Sequence, residues 1–409
     1  MCTFIMGKIG SCKTSFCVMK KIGWLMLFML VGCTSSKPIE AKETRLMVVS
    51  DIHYLSDELN DHGEAFQSLM QGSDGKYMEE IETIVDGLVQ SVEEENPDVV
   101  IISGDLTFNG ERVSHEHLAE RLASLETQVL VIPGNHDLYN SSAACFKGDT
   151  YSHVANVDRI DFMDIYEAMG YGQAIYKDEV SNSYVYEIND LWIVMLDTNS
   201  KANNEVMDET YQWLEEILNK AKLASKRVIG VSHQNLYAHS DLLYIGFQIK
   251  DDTRLIELYE KYDVLCNLSG HMHLQHVMDC KVPEIATSAL SVYPFHYGLL
   301  SIQGDEFTYE AKEIKVDETI RTQALDWFNE CSKAHMEWYF EDYTEEEKEA
   351  MLNTYQVLNL HYFMGTPIIE DISEGMKLWE GVEEDHFSLY VKRMIKEMNR
   401  NHTYYFHKD

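Results

Sequence analysis

Five short clusters of polar residues stand out: Asp51-Ile52-His53, Gly104-Asp105, Gly134-Asn135-His136-Asp137, His233 and Gly270-His271-Met272-His273. Imidazole nitrogen, carboxylate oxygen and an amide oxygen make a mixed donor set that suits Zn, Mn or Fe. In extended backbone, residues i and i+2 point to the same side. Asp51 and His53 can then share one site, as can His271 and His273, while Ile52 and Met272 turn away. Glycines before Asp105, Asn135 and His271 allow sharp turns and close approach.

Each cluster follows an apolar run: Leu46–Ser50, Val99–Ser103, Val129–Pro133, Val228–Ser232 and Val264–Ser269. The early runs are nearly continuous in Val, Ile and Leu, as strands buried on both faces are. Further strand-like runs are Tyr184–Ile188, Trp192–Leu196, Glu284–Ala289, Tyr297–Ile302 and Phe307–Ala311. Ile81, Ile84, Val85, Leu88, Val89 and Val92 recur on one helical face, and Trp213, Leu214, Ile217, Leu218 and Ala221 mark another. Strands alternating with helices predict α/β layering. The later strands lack long intervening helices and predict a second, partly antiparallel sheet. The expected fold is a two-sheet β-sandwich flanked by helices, with a site at the carboxyl ends of parallel strands. After Lys312 the pattern turns helical, with aromatic stripes at Trp327, Phe328, Met336, Trp338 and Tyr339. Thr344-Glu345-Glu346-Glu347 has capping-box spacing, and Gly365 with Pro367 is a stop. Residues 45–312 are thus expected to form the catalytic domain and residues 313–409 a small all-helical domain.

In this order the five clusters resemble the calcineurin-like metallophosphoesterases, which carry D-x-H, G-D, G-N-H-D/E, H and G-H-x-H. The resemblance covers about Arg45 to Lys312. One such motif alone is common; five in order, each at a strand end, are specific. The resemblance implies a site for two divalent ions, Mn2+, Fe2+/Fe3+ or Zn2+. Carried over position by position, Asp51, His53 and His273 bind the first ion. Asn135, His233 and His271 bind the second, and Asp105 bridges both. It also implies a hydrolase of phosphoric esters, with attack by a metal-bound hydroxide. His136 is then expected to donate a proton to the leaving oxygen, and Asp137 to orient its ring. The stretch from Gly104 to Glu111 and the Gly134–Asp137 motif look most like the class III cyclic-nucleotide phosphodiesterase branch. Its extracytoplasmic lipoprotein members are similar in having a helical tail. A phosphodiesterase acting on cyclic nucleotides or related diesters is the first expectation. A phosphomonoesterase or nucleotidase of the same family is the alternative, and a non-catalytic metal-binding protein that docks a partner is a third.

The 409 residues carry 33 Lys and Arg against 69 Asp and Glu, a formal charge of −36. That excludes a general binder of nucleic-acid duplexes and adhesion to anionic lipid through a basic patch. An anionic small molecule remains admissible as substrate, because bound cations reverse the local field and salt screens charge beyond about 8 Å. Lys20 and Lys21 precede the short apolar run Ile22–Val31, which ends at Cys33 in a pattern like a bacterial lipobox. Residues 1–33 are therefore expected to be a lipoprotein signal peptide ending at Cys33, whose thiol takes the lipid anchor, and 34–44 a tether. Met19, directly before the lysines, is a second candidate start. The expected place is outside the membrane, held to it by lipid. Cys145, Cys266, Cys280 and Cys331 show no CxxC spacing and predict no disulfide. Three loops, Tyr54–Tyr77, Leu138–Asn182 and Gln234–Lys250, are expected at the mouth of the site, with His62, Asn235, Tyr237, His239 and Phe247 among their side chains.

Overall fold

The apolar runs do pair side by side. The computed structural model describes residues 42–241, 245–304, 306–336, 339, 343–383, 385–397 and 403–407. The signal segment with Cys33, most of the tether and Trp338 lie outside these residues. In chain order the strands are β1 (Thr44–Val49), β2 (Val99–Ile102), β3 (Gln128–Val131), β4 (Ala144–Lys147), β5 (Thr150–His153), β6 (Tyr176–Lys177), β7 (Tyr184–Ile188), β8 (Leu191–Leu196), β9 (Arg227–Ser232), β10 (Asn267–Ser269), β11 (His276–Met278), β12 (Glu284–Ala286), β13 (His296–Gln303), β14 (Glu306–Glu313) and β15 (Thr403–His407). The helices are α1 (Glu64–Met70), α2 (Ile81–Glu95), α3 (Arg112–Leu122), α4 (Arg159–Ile165), α5 (Asp208–Leu223), α6 (Asp252–Lys261), α7 (Glu318–Met336), α8 (Glu345–Met364), α9 (Ser373–Gly381) and α10 (His386–Glu397).

Two mixed sheets form the body. The first runs β15-β14-β13-β1-β2-β3 and the second β11-β12-β10-β9-β8-β7-β6. β1, β2 and β3 are parallel and in step, with Val49 opposite Ile102 and Ile102 opposite Val131. β8, β9, β10 and β12 are likewise parallel. The five polar clusters therefore leave two sheets, three from β1–β3 and two from β9 and β10. The later strands, expected to form a second, partly antiparallel sheet, do not all lie there. β13 and β14 form a hairpin that adds to the free side of β1 in the first sheet. One apolar cluster unites residues of both sheets, among them Val48, Ile101, Ile229 and Leu268, with Ile84, Val85 and Leu88 of α2. A second packs α5 and α6 against the second sheet through Val194, Leu214, Ile217 and Tyr259.

The C-terminal residues build a third cluster around Met351, Leu358, Tyr362 and the fully buried Trp379. Thr344 and Glu347 form the predicted capping box at the start of α8, and Gly365 ends it in the left-handed region at φ 66°. This layer packs directly on the last polar cluster. Met272 and Leu274 belong to its core, and the Gln275 N–H donates to the Phe363 carbonyl at 2.8 Å. Residues 313–409 are not all helical: β15 pairs antiparallel with β14. The run Thr403-Tyr404-Tyr405-Phe406-His407 favours a strand, and it covers an edge that would otherwise offer unpaired backbone groups. Among the described residues Cys145, Cys266, Cys280 and Cys331 form no disulfide. Among the described residues no helix is long and apolar enough to cross a membrane.

Candidate metal centre

The polar clusters converge, but not through extended backbone. Asp51, His53, Asp105, His271 and His273 have φ of 53°, 50°, 50°, 68° and 58°. For side chains with a Cβ this left-handed region costs about 1–2 kcal/mol each. Such strain persists only where the surroundings impose it. Here the strand-end loops are laced together: Asp51 N–H donates to Gly104 O at 3.1 Å, His53 N–H to Asp105 O at 3.0 Å and Gly270 N–H to His233 O at 3.0 Å. Gly134 and Gly270 serve close approach. A Cβ on Gly134 would overlap the Asp105 carboxylate, and one on Gly270 would overlap the Ser50 hydroxyl.

Three overlapping donor groups result: Asp51, His53 and His273; His53, Asp105 and His136; Asp105, His233 and His271. His53 Nε2 and His273 Nε2 face each other at 3.1 Å. His273 Nε2 is 3.4 Å from Asp51 Oδ1. His233 Nε2 is 3.3 Å from Asp105 Oδ2 and 3.0 Å from Asn135 Oδ1. Of the seven residues read as ligands, six appear in these groups, and Asn135 joins through His233. Asp51 Oδ1 is buried without any hydrogen-bond partner. An orphaned carboxylate oxygen between two imidazole nitrogens fits a cation, since leaving it bare costs several kcal/mol at burial.

The electrostatics point the same way. Burial opposes charge on Asp51, yet the His273 imidazole beside it holds its carboxyl below the ordinary value. Burial also opposes charge on Asp105, and the His233 and His136 charges hold it well below. His233 is disfavoured as a cation by burial, yet Asp105 pushes it up to about 9. Burial lowers His271 to about 4 and depresses His53 well below its usual range. Two buried, ionised carboxylates thus face His53 and His271, which burial keeps neutral, and His233, which Asp105 holds as a cation and which would release its proton to a bound metal.

His136 N–H donates to Asp105 Oδ1 at 2.8 Å, and its ring Nδ1 donates to Phe108 O at 2.7 Å. Asp137 does not orient that ring, which corrects the expected role. Its buried carboxylate accepts from Gly134 N–H at 2.8 Å, Thr107 N–H at 3.0 Å, Leu106 N–H at 3.1 Å and the Thr107 hydroxyl at 3.0 Å. These donors occupy both oxygens and tie the loop after β2 to the loop after β3. The ring is instead held by the Phe108 carbonyl, with Asn109 Oδ1 3.2 Å away.

Glu111 supports this pair from behind. Its Oε2 accepts from Asn109 N–H at 2.9 Å, while Oε1 is buried and unpaired. Burial pushes its carboxyl up to about 7, against the Asn109 bond and with help from Asp137. A raised acid binds its proton more tightly folded than unfolded, so stability falls as pH rises from the ordinary carboxyl value through 7. Glu111→Gln is expected to raise the melting temperature at pH 8 by roughly 2–4 °C and to leave it unchanged at pH 4. Melting curves at the two pH values check this; an equal shift at both would assign the effect to packing.

The donor groups open into a cavity of about 330 Å³. Of the loop residues read as pocket-lining, only Phe247 reaches it. His62 pairs with Glu79 at the surface, Asn235 bonds Ser269 and Gly270, His239 bonds the buried Glu284, and Tyr237 packs on α5 and α6. The far wall comes from residues with no site motif: Phe328, Ser332, Tyr355, Asn359 and Tyr390 of the C-terminal helices, with Lys76 beside them. Their aromatic spacing reads as helical core, and most of each stripe is core; nothing in the spacing marks the turns that face the metal loops.

The chain belongs to the calcineurin-like phosphoesterase family, whose model matches residues 44–275. Members of this family use a dinuclear divalent metal centre and hydrolyse phosphoesters. Among curated relatives, a protein of Vesicomyosocius okutanii named a probable cyclic nucleotide phosphodiesterase is 33% identical over 81 residues, 19% of this chain and 35% of its own length. A protein of Arcobacter nitrofigilis named a probable glycerophosphodiester phosphodiesterase is 26% identical over 243 residues, 56% of this chain and 76% of its own. The chain thus spans about a third of the first relative and three quarters of the second. Among solved structures, a dimetal phosphatase from Danio rerio is 14% identical at a TM-score of 0.49, over 66% of this chain and 96% of the other.

Proposed function

We propose that the protein is a dinuclear metal-dependent phosphodiesterase, with cyclic nucleotides or related small diesters as substrates. The carrying observation is the pair of buried carboxylates, Asp51 and Asp105, set among the imidazoles of His53, His233, His271 and His273 at the floor of a roofed cavity. Asp51, His53 and His273 would hold one ion, and Asn135, His233 and His271 the other, with Asp105 shared. When bound, two divalent ions supply Lewis acidity to a phosphoryl oxygen and acidify water. The mixed N and O donors favour Mn2+, Fe2+/Fe3+ or Zn2+ over Mg2+ or Ca2+. His136 serves the leaving oxygen. The volume, near the lower end of the about 300–1,000 Å³ of small-molecule sites, favours a compact ligand and leaves no room for a duplex. The names of the curated relatives support a diester over a monoester. We also propose that the protein works outside the membrane, anchored by lipid at Cys33.

The discriminating experiment loads the metal-free protein with each ion. It then compares bis(p-nitrophenyl) phosphate with p-nitrophenyl phosphate. The expected result is a diester kcat/KM at least about tenfold higher, a difference of 1.4 kcal/mol in transition-state binding. The reverse preference would make the protein a phosphomonoesterase.

A further inference from the structure

Lys76 belongs to none of the motifs. It precedes Tyr77 on the stretch that leads into α2, and it is only 8% exposed. Among the described residues its Nζ makes one hydrogen bond, to Ser73 O at 3.4 Å, and no ion pair. That bond is long and weak. A buried ammonium outside any ion pair is costly, and a bound anion would offset that cost. Its side chain lines the same cavity as Asp105, Asn135, His136, His271 and His273. Its charge is felt most by Asp74, which lines the same cavity, then by Asp105 and Asp51, and it also acts on His53. In the loaded site Asp51 and Asp105 are committed to cations, which leaves Asp74, near but outside ion-pair distance, as the carboxylate facing Lys76.

The Lys76 stretch is held from two sides. Toward the metal centre, Tyr77 N–H donates to Ser291 O at 2.7 Å, and the Ser291 hydroxyl donates to Asp51 O at 3.0 Å. From the C-terminal layer, Trp327 Nε1 on α7 donates to Lys76 O at 2.9 Å. Gly75, at φ 83°, lies flat under Phe328, whose ring a Cβ there would meet at 2.6 Å. The same helix therefore roofs the cavity and braces the one lysine in its wall.

We propose that Lys76 binds the anionic oxygens of the substrate's phosphoryl group, and that α7 is the brace that holds it there. This deepens the phosphoesterase reading and rests on it. An ammonium bonded to an ionised oxygen contributes enough that its loss weakens binding about 10- to 100-fold.

The test uses the full chain loaded with Mn2+ and isothermal titration with two probes, inorganic phosphate and diethyl phosphate. Lys76→Met is expected to bind both about 10- to 100-fold more weakly at unchanged metal content, with KM for the diester raised more than kcat is lowered. Lys76→Arg is expected to recover part of the loss. Trp327→Phe, which keeps the ring and removes one donor, is expected to weaken both probes by a few fold. It also covers the case in which Lys76→Met fails to fold. Unchanged binding of both probes in these variants would overturn the assignment. A loss confined to inorganic phosphate would overturn it too, because the diester would then bind without Lys76. Absence of hydrolysis by the wild-type protein would instead sink the phosphodiesterase reading, and the phosphate titration would still stand.

Discussion

Asp105→Asn is expected to lose at least one metal equivalent and at least about 100-fold in turnover. The reason lies in how many partners this carboxylate serves. It belongs to both the group with His53 and His136 and the group with His233 and His271. Oδ2 is 3.3 Å from His233 Nε2 and 3.9 Å from His53 Nε2. Oδ1 already accepts the His136 N–H at 2.8 Å. Asparagine keeps the volume and one acceptor. If that acceptor stays with His136, the amide nitrogen turns its hydrogens toward the two imidazoles that must bind cations. If it turns over, a buried N–H is left facing another N–H. Either way the shared negative charge is gone, and charge is what overcomes the dehydration of a divalent ion. Elemental analysis of the purified variant, alongside diester hydrolysis, checks this. Two full equivalents together with wild-type turnover would remove Asp105 from the shared position.

The floor of the site was legible in the sequence because strand ends impose order on it. Continuous apolar runs announced β1, β2, β3 and β9, and each polar cluster follows its run directly. What escaped has physical causes. Asp and His tolerate the left-handed region better than most residues, but residue type alone does not place Asp51, His53, Asp105, His271 and His273 there; the surroundings impose it. Asp137 follows His136 in the chain, so sequence adjacency pointed to a shared task. The turn sends the two side chains apart, and Asp137 takes three donors from the loop after β2 and one from Gly134 of its own turn. Lys76 lies in the Tyr54–Tyr77 loop expected at the mouth of the site, but nothing in that loop singles it out; the bond from Trp327 of α7, some 250 positions later, helps fix it. The roof of the cavity was hidden for the same reason. Tyr355, Asn359 and Tyr390 carry the spacing of a helical interior, and their role depends on which face the layer turns toward Met272 and Leu274.

His136→Ala is expected to keep both metals and lose about 10²- to 10⁴-fold in kcat, the span typical of a removed general acid. Since Nδ1 faces a carbonyl, it must be the donor in that bond, and Phe108 O therefore fixes the tautomer. Nε2 is the nitrogen left for the cavity. A protonated ring can give its Nε2 proton to a departing oxygen while Nδ1–H stays on Phe108, so the ring does not reorient during the step. The backbone N–H of the same residue holds Asp105 Oδ1, a contact that alanine retains. That separates the two tasks of this position: the main chain places the carboxylate, and the side chain moves the proton. His136 also lies close enough to His53 and Asp105 to be a ligand itself, with its ring edge-to-face to His53 at 4.9 Å. Metal content discriminates these roles, since a ligand's loss would empty a site. Leaving-group dependence discriminates further. A p-nitrophenolate departs without a proton, whereas an alkoxide does not. The variant should therefore lose at least about tenfold more activity on an alkyl diester than on bis(p-nitrophenyl) phosphate. An equal loss on both would assign His136 to binding the phosphoryl group and leave the proton to another donor.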